Sequence, residues 1–211
     1  ADLHFSKIKH PKLWSTENPY LHTINVDLLD GTKIIDKISD KLGFRWFEFK
    51  EHGAFFLNGK RVLLRGTHRH EEHAGVGAAM SNTQHVTDMK LIKEMGANFV
   101  RLAHYPQDPS IYKACDELGL LVWDELPWCR GGVGNATWQE NTKRMLAEII
   151  NQNYNHPSLV IWAYMNEVLL RPYYKKNKER YKKYTGFIAA LAQDLEDLTR
   201  AEDPYRYTMI P

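Results

Sequence analysis

Two cysteines in 211 residues are too few for a disulfide framework or a four-ligand zinc site, so neither kind of staple holds this chain together. No run of eighteen apolar residues offers a membrane span, and no stretch has the layout of a secretory leader. An excess of one charge is missing too. Against 26 acidic residues stand 28 Lys and Arg, and a net charge of +2 removes any whole-chain case for nucleic acid or an anionic membrane. Nor does a Gly-rich phosphate fingerprint follow the first strand of the α/β region. Gly131-Gly132-Val133-Gly134 lies after the third strand, has the wrong spacing and reads as a loop. What is present is 43% hydrophobic and 12% aromatic, the composition of a folded globular protein. Cys115, among apolar neighbours in a predicted helix, reads as a buried free thiol.

The pattern changes near residue 54. Before it, Ile24, Val26 and Leu28 alternate with polar residues, Asp30-Gly31 supplies a turn, and Lys33–Ile38 and Phe44–Phe49 extend the β structure. Three strands cannot close a sandwich, so residues 1–50 read as the end of a larger β domain. A second hairpin is centred on Asn58-Gly59, and beyond it strands and helices alternate. Strand-like runs fall at Val62–Arg65, Asn98–Ala103, Leu120–Leu126, Leu159–Met165 and Arg206–Ile210. Between them, apolar residues recur at three-and-four spacing, as on amphipathic helices, with Gly96 and Gly119 at C-terminal positions. The strands are apolar on both faces, which suits a parallel sheet covered by helices. This order predicts an α/β fold over residues 51–211; pattern alone leaves a doubly wound sheet and a barrel both open.

Four strand ends carry polar clusters: Arg65–His73, Arg101–Pro106, Trp123–Trp128 and Tyr164–Glu167. In a barrel such ends converge on one mouth. Glu167 at the end of a buried strand suits a general acid, because burial can raise a carboxyl pKa until it holds a proton near neutrality. The Asn166 amide could hold a substrate hydroxyl beside it. An isolated Asn-Glu is more often just a polar strand terminus, and Arg101 alone could be an ion-pair partner of Asp124 or Glu125. Trp128, Trp138 and Tyr105 could offer flat faces to a sugar, although each more often packs in a core. His70-Glu71-Glu72-His73 lacks the four-residue separation of the helical zinc motif, so no metal site is expected there. Arg171–Lys183 holds seven basic residues and one acidic, which leaves −4 for the rest of the chain. A solvated helix start explains this run better than a nucleic-acid groove, with binding of an anionic glycan as a third option.

Two blocks together resemble glycoside hydrolase family 2, the group of β-galactosidases, β-glucuronidases and β-mannosidases. One is Asn98–Pro106 continued through Asp116–Glu125; the other runs from Asn155-His-Pro-Ser through Trp162 to Asn166-Glu167. Arg65–Glu71 resembles the block after the family's first barrel strand. Leu13-Trp14-Ser15, Glu17–Leu21 and Gly43-Phe44-Arg45 resemble the end of its immunoglobulin-like domain. The resemblance implies a partial (β/α)8 TIM barrel, about strands 1–5, preceded by the C-terminal strands of an immunoglobulin-like β-sandwich. It further implies retaining hydrolysis of terminal β-glycosides with no cofactor, most readily β-galactosides, with β-glucuronides or β-mannosides as alternatives. By position, Glu167 would be the acid/base and Asn166 would bind the 2-hydroxyl. His70, Arg101 and His104 would line the sugar subsite, with Trp128 beside them.

Two departures accompany this resemblance. The family nucleophile is a Glu on the seventh barrel strand, and no residue here matches it. Some β-galactosidases place a metal-ligand Glu and His after the third-strand Asp-Glu, where this chain has Cys129 and Gly131. The expected partner is therefore an oligosaccharide or simple β-glycoside, with no nucleic acid and no membrane. Open half-barrel edges are expected to drive self-association. A silent carbohydrate-binding fragment is the reading from another class. Bacterial periplasm and cytoplasm both stay open, because a targeting signal would lie outside these residues.

Overall fold

The computed structural model describes residues 8–170 and 175–210. The first seven residues of the expected sandwich tail, Arg171, Tyr173 and Tyr174 of the basic run, and residue 211 lie outside the described residues. Strands β1 (His22–Asp30) and β2 (Lys33–Leu42) form an antiparallel hairpin. Its apolar residues Val26, Leu28, Ile34 and Ile38 are exposed. Two strands cannot bury a face between them, which is why this face stays uncovered among the described residues.

Strands β3 (Phe47–Phe49), β4 (Phe55–Leu57) and β5 (Lys60–Val62) make a small antiparallel sheet. Asn58 and Gly59 both take positive φ, 52° and 77°, as a tight hairpin turn requires. This pairing corrects one expectation. Val62 belongs to the hairpin, and the first parallel strand is β6 (Gly66–Arg69), a few residues later than Val62–Arg65. The hairpin pairs Phe55 with Val62, so its register claims residues that apolarity alone assigns to the barrel.

The remaining strands are β7 (Phe99–Leu102), β8 (Leu121–Glu125), β9 (Leu159–Ala163) and β10 (Tyr207–Met209). With β6 they form one parallel sheet in the order β10-β9-β8-β7-β6. The crossovers are helices α1 (Asn82–Glu94), α2 (Pro109–Leu118), α3 (Ala136–Asn153) and α4 (Lys178–Glu202). This is the first part of a TIM barrel, with five sequential parallel strands. Each helix starts where its sequence supplies a cap. Ser81 and Gln84 form a capping box, while Asp108, Asn135 and Asn177 each accept a backbone N–H. Gly119 ends α2 at φ 69°, and a Cβ there would lie 2.5 Å from the Thr16 carbonyl oxygen.

The main core fills the space between sheet and helices, with Val100, Leu102, Val122, Leu159 and Trp162 from the strands and Met89, Ile111, Leu146 and Leu191 from the helices. Each such Leu, Ile or Val contributes about 1.5–3 kcal/mol by leaving water. Cys115 is fully buried there, and burial pushes its thiol well above the usual range. A second cluster closes the N-terminal end of the strands, where Trp14, Phe55 and Leu57 pack on Leu121, Val160 and Ile161. No described helix is long and apolar enough to cross a membrane.

One core carboxyl makes stability pH-dependent. Asp124, on the helix side of β8, is completely buried, accepts a hydrogen bond from the Tyr112 hydroxyl at 2.9 Å, and is pushed up to about 7 by desolvation. A carboxyl raised on folding keeps its proton in the native state after the unfolded chain has lost it. The folded form therefore loses stability as pH rises from about 4 to about 7. Asp124→Asn keeps an acceptor for Tyr112 and removes the titration. Urea unfolding from pH 4 to 8 is expected to give the variant a rising stability relative to the parent; parallel curves would refute the assignment.

Candidate active site

The strand that carries Asn166 and Glu167 is set in place at both of its ends. Where β9 begins, the Asp116 carboxylate takes the Ser158 N–H at 3.1 Å and the His156 ring at 2.5 Å. The Asn-His-Pro-Ser block thus ties β9 to the end of α2. Arg206 donates from Nε to the Leu159 carbonyl at 2.9 Å and from Nη2 to those of Tyr154 and His156, at 2.5 and 3.2 Å. Where β9 ends, the Asn166 N–H donates to the Trp128 carbonyl at 2.8 Å, and the Arg130 N–H donates to the Asn166 carbonyl at 2.9 Å. The loops after β8 and β9 are therefore laced together at the mouth.

The structure brings Arg101, His104 and Asn166 into one network centred on Glu125. The Glu125 side chain is fully buried; Arg101 Nε donates to its Oε1 at 2.5 Å, and His104 Nδ1 lies 2.8 Å from its Oε2. Arg101 Nη2 also donates to Asn166 Oδ1 at 2.8 Å, and its guanidinium lies 4.5 Å from the Trp123 ring. Each oxygen of this buried carboxylate thus has a charged or polar partner, and in return the carboxylate fixes both of them. Asn166 is buried, and its Nδ2 donates to Cys129 Sγ at 3.5 Å. His70 is exposed at the rim, with its ring edge-on to His104 at 5.0 Å.

Two expectations need correction. Trp128 offers no face to the mouth. It is 2% exposed, donates Nε1–H to the Gly131 carbonyl and packs edge-on against Trp138 at 5.5 Å. Its large ring is worth more in the apolar layer beneath the loop. Glu167 is not the enclosed carboxyl expected either. Its side chain is 36% exposed, and its Oε2 lies 2.5 Å from Arg130 Nε, whereas Arg101 and His104 hold Glu125. Five strands leave the mouth open on the side of β10, and Arg130 reaches Glu167 from the neighbouring loop. Glu167 and Arg130 both take positive φ, 53° and 57°, a backbone state that costs a non-glycine residue about 1–3 kcal/mol and collects at functional sites.

Sequence reasoning missed Arg130 as a site residue, although a lone charged side chain between Cys129 and two glycines was a signal. It also missed the Arg69 hub. Arg69 is 6% exposed and donates to Asp88, Gln107 and the His85 ring, which fixes the loop that leads to His70. The loop after β8 does not fit a metal at Glu167: it offers a thiol at Cys129, no side chain at Gly131 and a guanidinium already on the carboxylate. Among the described residues no group of three His, Cys, Asp or Glu side chains could hold a metal ion.

Five parallel strands with polar residues gathered at their C-terminal ends define a TIM-barrel architecture with its site at the mouth. The chain belongs to glycosyl hydrolases family 2: the profile of that family's TIM barrel domain matches residues 47–200, and the profile "Glycosyl hydrolases family 2" matches residues 2–45. A protein of Formosa agariphila described as "Putative beta-glucuronidase" is 64% identical over 210 residues, all of this chain and 25% of its own length. A β-galactosidase of Thermoanaerobacter pseudethanolicus is 35% identical over 95% of the chain and 28% of its own length. The solved apo structure of Bacteroides uniformis β-glucuronidase 3 superposes with a TM-score of 0.83 at 45% identity, over 95% of the chain and 25% of its own. The chain thus spans about a quarter of the length of these relatives.

Proposed function

We propose that these residues form the acid/base half of a retaining β-glycosidase, with Glu167 as the proton donor and acceptor. The observation that carries the reading is the network at the strand ends, in which buried Glu125 fixes Arg101 and Arg101 fixes the Asn166 amide one residue from Glu167. Asn166, His104, Arg101 and exposed His70 then meet the hydroxyls of the sugar, as the arrangement of donors and acceptors suits. Glu167 reaches the glycosidic oxygen, protonates the leaving group and recovers the proton from water in the second step. Trp128 takes no part in sugar contact.

For the sugar, β-glucuronides replace β-galactosides as the first choice. The β-glucuronidase descriptions of the 64% relative and of the superposed structure support this, while the β-galactosidase at 35% keeps the other sugar as the alternative. Nitrophenyl β-glucuronide, β-galactoside and β-mannoside assayed with the longest polypeptide that carries these residues decide between them; highest kcat/KM on the galactoside would reverse the choice. The 211 residues alone are expected to turn over none of the three, since no residue here matches the second carboxylate of a retaining pair. They are also expected to self-associate through their open sheet edges. Turnover by a monomeric 211-residue chain in size-exclusion fractions would contradict both expectations.

A further inference from the structure

An acid/base must touch the oxygen that joins the cleaved sugar to its leaving group. Whatever lies outward of Glu167 therefore faces the leaving group. Arg130 is the first such residue, 71% exposed with its Nε on the Glu167 carboxylate. Because both partners face solvent, this pair is easily exchanged for another anion. Next outward is the start of α4. Gly132, two residues beyond Arg130, packs so closely on the Tyr184 ring that a Cβ would lie 3.0 Å from it, and the Tyr184 hydroxyl donates to the Val168 carbonyl. A largely apolar cleft of about 430 Å3, lined by Met165, Glu167, Val168, Ile188, Ala192 and Ile210, runs from the carboxylate along the middle of this helix, and it is the Gly132–Tyr184 contact that joins the loop of Arg130 to the helix start. The same end of α4 is strongly basic. Lys175, Lys176, Lys178, Arg180, Lys182 and Lys183 are all exposed, with Glu179 the one acid between Lys175 and Lys183. That stretch carries +5 in a chain of +2, so the remainder carries −3. Among the described residues no carboxylate lies within ion-pair range of any of the six.

We infer that Arg130 and the basic start of α4 form the leaving-group side of the site for an anionic oligosaccharide, one with carboxylate or sulfate groups on the sugars beyond the scissile bond. This rests on the glycosidase reading given above. Separate sugar units bring separate charges to Arg130 and to the lysines, whereas a small neutral aglycone reaches neither. The clustered cations raise the local concentration of such a chain, an effect that salt removes.

The test uses the longest polypeptide that carries these residues and two hexasaccharides ending in β-glucuronate, one from hyaluronan with carboxylates only and one from chondroitin sulfate. The readout is kcat/KM on each hexasaccharide divided by kcat/KM on nitrophenyl β-glucuronide, so general loss of folded protein cancels. The triple variant Lys178→Glu, Arg180→Glu, Lys182→Glu is expected to lower this ratio about ten-fold at low salt, with little effect at high salt. Arg130→Gln is expected to lower it in the same direction. An effect on both hexasaccharides assigns carboxylates, and an effect on the chondroitin sulfate one alone assigns sulfates. A ratio indifferent to charge reversal and to salt overturns the inference, as does tighter binding of duplex DNA than of either hexasaccharide. Calorimetric binding of both to the Glu167→Gln protein reads the surface without turnover. It separates failure of this inference from failure of the catalytic assignment.

Discussion

Glu167→Gln is expected to lower kcat/KM on a β-glycoside with a poor leaving group by about 10²–10⁴-fold while sparing a dinitrophenyl glycoside. A departing alkoxide or phenoxide of high basicity needs a proton in the transition state, and Gln cannot give one. Dinitrophenolate is stable enough to leave unaided, so its first step, which kcat/KM reports, proceeds without the acid. Its kcat should nevertheless fall, because water attacking the glycosyl-enzyme loses its base. Steady-state kinetics on both substrates checks this. Equal losses of kcat/KM on the two would show that Glu167 holds the site together and transfers no proton.

The second large effect belongs to Arg101, where stability and activity should separate. Arg101→Met leaves the carboxylate of Glu125, with no exposed side-chain surface, facing His104 alone. Breaking one side of such a pair costs about 3–5 kcal/mol, because the remaining charge stays out of water. The double variant Arg101→Met, Glu125→Gln removes that charge and is expected to recover most of the loss in denaturant midpoint. Activity should not return with it, because the Asn166 amide still lacks the donor that orients it. Recovery of both together would mean that Arg101 matters only as a counter-ion. A single variant as stable as its parent would mean that the buried pair contributes nothing.

The legible parts of the fold were those with strong local signals. Apolar runs, three-and-four spacing and the C-terminal glycines Gly96 and Gly119 gave the strands and helices, because such signals act over a few residues. The start of the first parallel strand was misplaced because Arg61-Val62 satisfies both a hairpin and a barrel strand, and only pairing with Phe55 and Phe56 decides. At the site, Arg101, His104 and Asn166 could be grouped from their positions at strand ends. Glu125, the partner of Arg101 and His104, could be named only as one of two acids; Asp124 next to it points to the helices. The depth of a side chain was hardest to read. Trp128 lies under its own loop against Gly131 and Trp138, and Glu167 lies at an open rim where its partner Arg130 comes from the loop after the preceding strand.

Arg206 carries a consequence for how the molecule is made. Its guanidinium spans the carbonyls of Tyr154, His156 and Leu159, 47 to 52 residues earlier, and pairs with Asp203 at 2.7 Å. A nascent chain that has left the ribosome as far as α3 and β9 still lacks this clasp. The strand destined to present Asn166 and Glu167 must wait, half-secured, for the fifth strand to emerge. Long-range closure of this kind slows folding and leaves apolar edges unguarded in the interval.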